Sequence, residues 1–99
     1  MKAITAEELQ IQLDSRKDIQ LIDIREKYEF EDGHLNAINI PMDSVIDNLD
    51  KITKDKPVII YCKSGKRASA MVYMLEKMYS FENLLILEGG YDAFVAQPV

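Results

Sequence analysis

Apolar positions along this chain fall into short blocks whose period switches between that of a helix and that of a strand. Ala6, Leu9 and Leu13 recur at helical spacing behind Thr5-Ala6-Glu7-Glu8. That tetrapeptide has capping-box form, with the Thr5 hydroxyl accepting from the Glu8 amide while Glu8 reaches back. Residues 20–24 are a short apolar run and read as a buried strand. Residues 26–32 are polar and acidic around Tyr28 and Phe30, and Asp32-Gly33 closes them with a turn signal. A third strand is expected over 37–40, stopped by Pro41, and Val45, Ile46, Leu49 and Ile52 predict a short amphipathic helix over 43–52. Val58-Ile59-Ile60-Tyr61 is the most strand-like run. Ala68, Met71, Met74, Leu75 and Met78 then share one face of a helix over 67–79. Leu84 to Leu87 is another strand, followed by Gly89-Gly90 and a last short helix through Phe94.

Strands separated by helical segments require crossover connections, so the expected fold is α/β: a small, mainly parallel β-sheet flanked by helices on both faces, with right-handed crossovers. Ligands of such sheets lie beyond the carboxyl ends of the strands. That rule marks three places, Asp23 with Arg25, the loop after Tyr61, and Glu88-Gly89-Gly90. The 99 residues suit a single domain over 1–99. No apolar run approaches the roughly 20 residues of a membrane helix, and the acidic start lacks the apolar core of a signal peptide. A cytoplasmic location is therefore expected. The net charge of −5 speaks against a nucleic-acid partner. One cysteine excludes an internal disulfide, and with a single histidine beside it no metal site is expected.

The chemistry concentrates in Cys62-Lys63-Ser64-Gly65-Lys66-Arg67, between the strand 58–61 and the helix that follows. Three of the twelve basic residues of an acidic chain stand in these six positions. Their charge and the adjoining helix N-terminus both favour a thiolate, the nucleophilic form of cysteine. Ser64 and Gly65 let the loop curl so that several backbone N–H groups point inward and form an anion-binding nest. A buried structural cysteine under a solvated basic turn is the blander alternative, and this context outweighs it.

The chain resembles a rhodanese homology domain at three places. Leu21-Ile22-Asp23-Ile24-Arg25-Glu26 with Glu29-Phe30 and Gly33-His34-Leu35 is similar to the first signature of that family. Tyr61-Cys62 with Ser64-Gly65 and Arg67-Ala68-Ser69 is similar to its active-site loop, and Leu87-Glu88-Gly89-Gly90 to its closing signature. The resemblance runs over residues 4–99 in a single copy. It implies sulfur transfer without a cofactor. Cys62 would take sulfane sulfur from a donor such as thiosulfate or a low-molecular-weight persulfide and pass it, as a persulfide, to cyanide, a thiol or a protein sulfur carrier. By the same resemblance, backbone amides from Lys63 through Arg67 would cradle the persulfide, and the side chains of Lys63, Lys66 and Arg67 would bind the donor anion. The Cys-x4-Arg loop is one residue shorter than the phosphate-wrapping Cys-x5-Arg loop of cysteine phosphatases.

Asp23 and Arg25 would support the loop, as an ion pair of Arg25 with Glu29 or Asp23. His34 is expected to hydrogen-bond structurally rather than act as a base. The chain departs from the family in a shorter stretch after Gly33, in Phe94 where tryptophan is common, and in Gln97 before the terminal Pro98-Val99. Two alternatives belong to other classes: a rhodanese-like binding or regulatory module, and a redox sensor built on an exposed, low-pKa thiol.

Overall fold

The apolar run Val58–Tyr61 becomes the centre of the sheet. In the computed structural model, which describes residues 1–98 and so leaves Val99 outside, five strands lie in the order β1-β5-β4-β2-β3 and every pairing is parallel. The strands are β1 Lys2–Ile4, β2 Gln20–Asp23, β3 Ile38–Asn39, β4 Val58–Tyr61 and β5 Leu84–Leu87. The helices are α1 Ala6–Asp14, α2 Lys27–Asp32, α3 Lys66–Tyr79 and α4 Gly90–Val95. Strand β4 is central because all four of its side chains are buried, Val58, Ile60 and their neighbours on both faces. A strand covered on both sides has no use for polar alternation.

The two faces carry separate cores. Val58 and Ile60 of β4 join Ile22, Ile86 and the buried α3 residues Ala68, Met71, Val72 and Leu75. On the opposite face Ile59 and Tyr61 join Leu21, Leu87, Leu9 of α1, and the partly buried Tyr91 and Phe94 of α4. The Phe94 departure thus fills a packing position. The capping box forms as expected, with Glu8 N–H donating to Thr5 Oγ1 at 3.1 Å and Thr5 N–H to Glu8 Oε1 at 2.9 Å.

The structure departs from the sequence pattern at five places. Residues 43–52 are not one α-helix but two 3-10 segments, Met42–Ser44 and Ile46–Lys51. Asn48 is the reason: its side-chain amide takes Ser44 O at 2.7 Å, the carbonyl an α-helical Asn48 N–H would use, and that N–H goes to Val45 O instead. The third strand shrinks to Ile38–Asn39. Residues 27–32 form the short helix α2, and β1 was not foreseen. On α3, Met78 is 68% exposed near the helix end, and Val72 takes the buried position instead.

Candidate active site

Cys62 is the first residue beyond β4 and keeps its alternation. Val58, Ile60 and Cys62 share the α3 face, which carries the thiol under the start of that helix. Helix α3 begins after Gly65, which is left-handed at φ +104° and has no side chain to cap the first turn. A helix start leaves amides without partners. Here the N–H groups of Gly65 and Ala68 donate to Cys62 Sγ at 3.1 and 3.3 Å. The sulfur does for α3 what a capping oxygen does in other helices, at the positive end of 14 residues of aligned dipoles. Donors so placed hold negative charge on a sulfur or on an anion bonded to it.

The back of the loop is fixed by α4. Gly90 adopts φ +62°, and a Cβ there would lie 2.5 Å from the carbonyl oxygens of both Cys62 and Lys63. The N–H groups of Tyr91 and Asp92 donate to those same carbonyls at 2.8 and 3.0 Å. With its carbonyls turned toward α4, the loop presents N–H groups to the sulfur.

Loop cations are held by carboxylates from both neighbouring helices. Lys63 Nζ meets Asp92 of α4 at 2.9 Å, with both side chains exposed. Arg67 grips Glu29 of α2 with two N–H groups, Nη1 to Oε1 at 3.0 Å and Nη2 to Oε2 at 3.3 Å. Glu29 Oε1 also accepts the Glu26 N–H at 3.0 Å. The Arg67 hydrogen bonds lower the Glu29 pKa, and those same bonds raise that of Arg67. Lys66 is exposed and has no ion pair among the described residues. Beside the loop runs an open cavity of about 590 Å³, bounded by Ser64, Gly65, Lys66, Ser69, Glu88 and Gly89.

The profile of the rhodanese-like domain matches residues 5–97. The chain belongs to that family. It is 34% identical over 93 residues to a protein of Allochromatium vinosum named sulfurtransferase, covering 92% of this chain and 85% of that one. It is 38% identical over 92 residues to the uncharacterized protein YqhL of Bacillus subtilis, covering 92% and 70%. The crystal structure of a rhodanese-like domain protein from Staphylococcus aureus aligns with a TM-score of 0.86 at 36% identity, over 95% of this chain and 91% of that one. Family membership supports sulfur transfer as the general activity.

Within this rhodanese-like site, several sequence expectations change. Asp23 and Arg25 do not face Cys62. They follow the parity of Leu21 and turn to the opposite side of the sheet, where Arg25 forks onto Asp23 at 3.0 and 2.7 Å and donates to Gly33 O at 2.7 Å. Burial works against the Arg25 charge, and Asp23 more than offsets it, so the Arg25 pKa stands above its usual value. The guanidinium lies 4.2 Å from the centre of the Tyr91 ring. Its support of the loop is therefore indirect, through the residue whose N–H holds Cys62 O. Of the two ion-pair partners considered for Arg25, Asp23 takes it and Glu29 goes to Arg67. His34 stacks on Phe30 with ring centres 3.8 Å apart and its Nδ1 lies against Leu35 O, a structural arrangement. Cys62 is only 1% exposed, which corrects the picture of an exposed sensor thiol.

Among the amides expected to line the loop, Gly65 makes its bond, and Ala68, one residue beyond the expected set, makes the other. Counting unpartnered amides from the helix start finds Ala68 from sequence. Nothing local in the sequence pairs Glu29 with Arg67 or Asp92 with Lys63. The cavity is likewise a product of tertiary packing. Among the described residues no helix is long and apolar enough to cross a membrane.

Proposed function

We propose that this chain is a sulfurtransferase acting as one rhodanese-like domain, with Cys62 as the nucleophile that carries a persulfide. The observation that carries the reading is the pair of amides, Gly65 and Ala68, aimed at Cys62 Sγ. In the first half-reaction the Cys62 thiolate attacks the outer sulfur of thiosulfate. A new S–S bond forms, the donor's S–S bond breaks, and sulfite leaves with the electron pair. A low-molecular-weight persulfide serves equally as donor, its thiolate leaving in place of sulfite. In the second half-reaction cyanide or a thiolate attacks the outer persulfide sulfur, and Cys62 departs as thiolate. Electrons balance over the cycle, so no cofactor is called for.

The chain's residues divide the work. Gly65 and Ala68 hold the charge that the sulfur carries, and Ser64 and Gly65 shape the loop. Lys63, Lys66 and Arg67 draw the donor anion toward a sulfur in an otherwise acidic protein. Asp23 and Arg25 brace Tyr91, and Tyr91 braces the loop. With no second cysteine in the chain, the acceptor thiol comes from outside, either a small molecule or a protein sulfur carrier. A pure binding module has no need of two amides converging on a buried sulfur.

Thiocyanate formation from thiosulfate and cyanide tests the proposal, with wild type beside Cys62→Ser. Turnover in wild type that Cys62→Ser abolishes supports it. Absence of turnover with thiosulfate and with small persulfide donors alike overturns it.

A further inference from the structure

Charge around the loop leaves a mismatch with a donor anion. Lys63, Lys66 and Arg67 supply three positive charges, and Asp92 and Glu29 already answer two of them. Glu88, exposed at the edge of the cavity, offsets the third, so no net positive charge is left to face a dianion such as thiosulfate. Arg67 is the cation with most to offer, because it alone of the three can grip two oxygens of one anion through a planar guanidinium. Yet the Glu29 carboxylate takes one N–H from each of its two terminal nitrogens, which occupies the end-on fork of the guanidinium. The Arg67 side chain remains 35% exposed on a long stem, and Glu29 is 15% exposed. The contrast is Arg25, whose pairing with Asp23 is fully enclosed, at 5% and 0% exposed. A buried fork of that kind is fixed, whereas a half-open one trades partners at low cost.

We propose that Glu29 is a displaceable internal counter-ion: it holds Arg67 while the site is empty, and the donor anion takes over the guanidinium when it binds. The proposal rests on the anion-binding role given to Arg67 above and assigns Glu29 a function beyond packing. The Glu26 N–H on Glu29 Oε1 supports the exchange, because it keeps the carboxylate in place on α2 after Arg67 leaves. Glu29 also opposes the anion, so the site favours anions able to bind a guanidinium through two oxygens over weaker monovalent ones.

The test is equilibrium binding of thiosulfate to Cys62→Ser and to Cys62→Ser with Glu29→Gln, by titration calorimetry, together with the Arg67 Nε–Hε signal by NMR. Glutamine still accepts the Glu26 N–H and retains the shape of the side chain, and a thermal melt checks that the fold is kept. Removing the competing carboxylate should tighten binding roughly 1.4- to fivefold, which corresponds to the about 0.2–1 kcal/mol of a partly exposed ion pair. The Arg67 signal of the Glu29-containing protein should shift on saturation toward the position it has in thiosulfate-bound Glu29→Gln. Unchanged or weaker binding in folded Glu29→Gln overturns the exchange and leaves the sulfurtransferase reading standing. Absence of thiosulfate binding in both proteins overturns the anion role of Arg67 and the exchange together. Binding does not depend on turnover, so failure of the enzymatic reading is detected separately by the thiocyanate assay.

Discussion

Gly90→Ala is the substitution that most directly strains the contact between α4 and the Cys62 loop. The new Cβ would stand 2.5 Å from two carbonyl oxygens and 2.6 Å from the Lys63 carbonyl carbon, all of them backbone. Even close carbon–oxygen contacts in proteins lie at about 3.3–3.6 Å, so loop and helix must separate by about 0.8 Å or more. Left-handed backbone at φ +62° adds roughly 1–2 kcal/mol for any residue with a side chain, and overpacking adds about 1–3 kcal/mol. Together they predict a loss of about 2–5 kcal/mol. Separation also stretches the Tyr91 and Asp92 hydrogen bonds, freeing the Cys62 and Lys63 carbonyls to turn. Gly65→Ala is the comparison, because its Cβ meets nothing closer than 3.7 Å and only the φ of +104° is strained. It should cost about 1–3 kcal/mol. Urea unfolding measures both, and mass analysis after thiosulfate treatment of the folded fraction measures persulfide formation. Gly90→Ala should be the less stable of the two and should form persulfide at least tenfold more slowly than wild type. Wild-type stability and wild-type persulfide formation in Gly90→Ala would refute the contact as the device that shapes the loop.

Three further outcomes follow from the same geometry. Thr5→Ala removes the acceptor of the Glu8 N–H and should cost about 1 kcal/mol in urea unfolding, with thiocyanate turnover unchanged, since α1 lies on the face away from Cys62. Arg25→Met strands the fully buried Asp23 and should cost about 3–5 kcal/mol. Arg25→Met with Asp23→Asn should lose less than the sum of the two single losses, and additivity in that cycle would contradict the pairing. Glu29 titrates below the usual glutamate range because Arg67 hydrogen-bonds its carboxylate. Its stabilising contribution is therefore complete above the ordinary glutamate pKa and is lost as pH falls through the lowered folded value. The stability gap between wild type and Glu29→Gln, at most about 1 kcal/mol near neutral pH, should close over that acidic window in pH-dependent urea unfolding.

The chain's own pattern carries the middle of this fold well and its margins poorly. Val58–Tyr61 and Leu84–Leu87 are read to the residue because a strand buried on both faces must be continuously apolar. Strand β1 has three residues with only Ile4 buried, too little to register against the sequence around it. Helix α2 has no buried residue, so no apolar stripe announces it. The amphipathic spacing over 43–52 is real, but Asn48 competes for a helix carbonyl and converts the segment to 3-10 turns. At the site, Cys62 and its loop are legible because charge, glycine and a strand–helix boundary coincide in six residues. The relative facing of Arg25 and Cys62 was not available, because it depends on the register that pairs Leu21 with Ile59. With that register in place, counting from Leu21 and from Val58 puts Arg25 and Cys62 on opposite faces. The clasp of Arg67 by Glu29 was not available, since 38 residues separate the two and only the folded sheet brings them together.

The central claim is that Cys62 carries sulfur as a persulfide between two half-reactions. Intact-mass analysis of the protein after stoichiometric thiosulfate, and again after cyanide, tests it most directly. A gain of one sulfur atom on wild type, absent in Cys62→Ser and removed by cyanide with formation of thiocyanate, is the predicted result. Thiocyanate formed by Cys62→Ser at the wild-type rate, or a sulfur adduct that cyanide leaves in place, would contradict the claim.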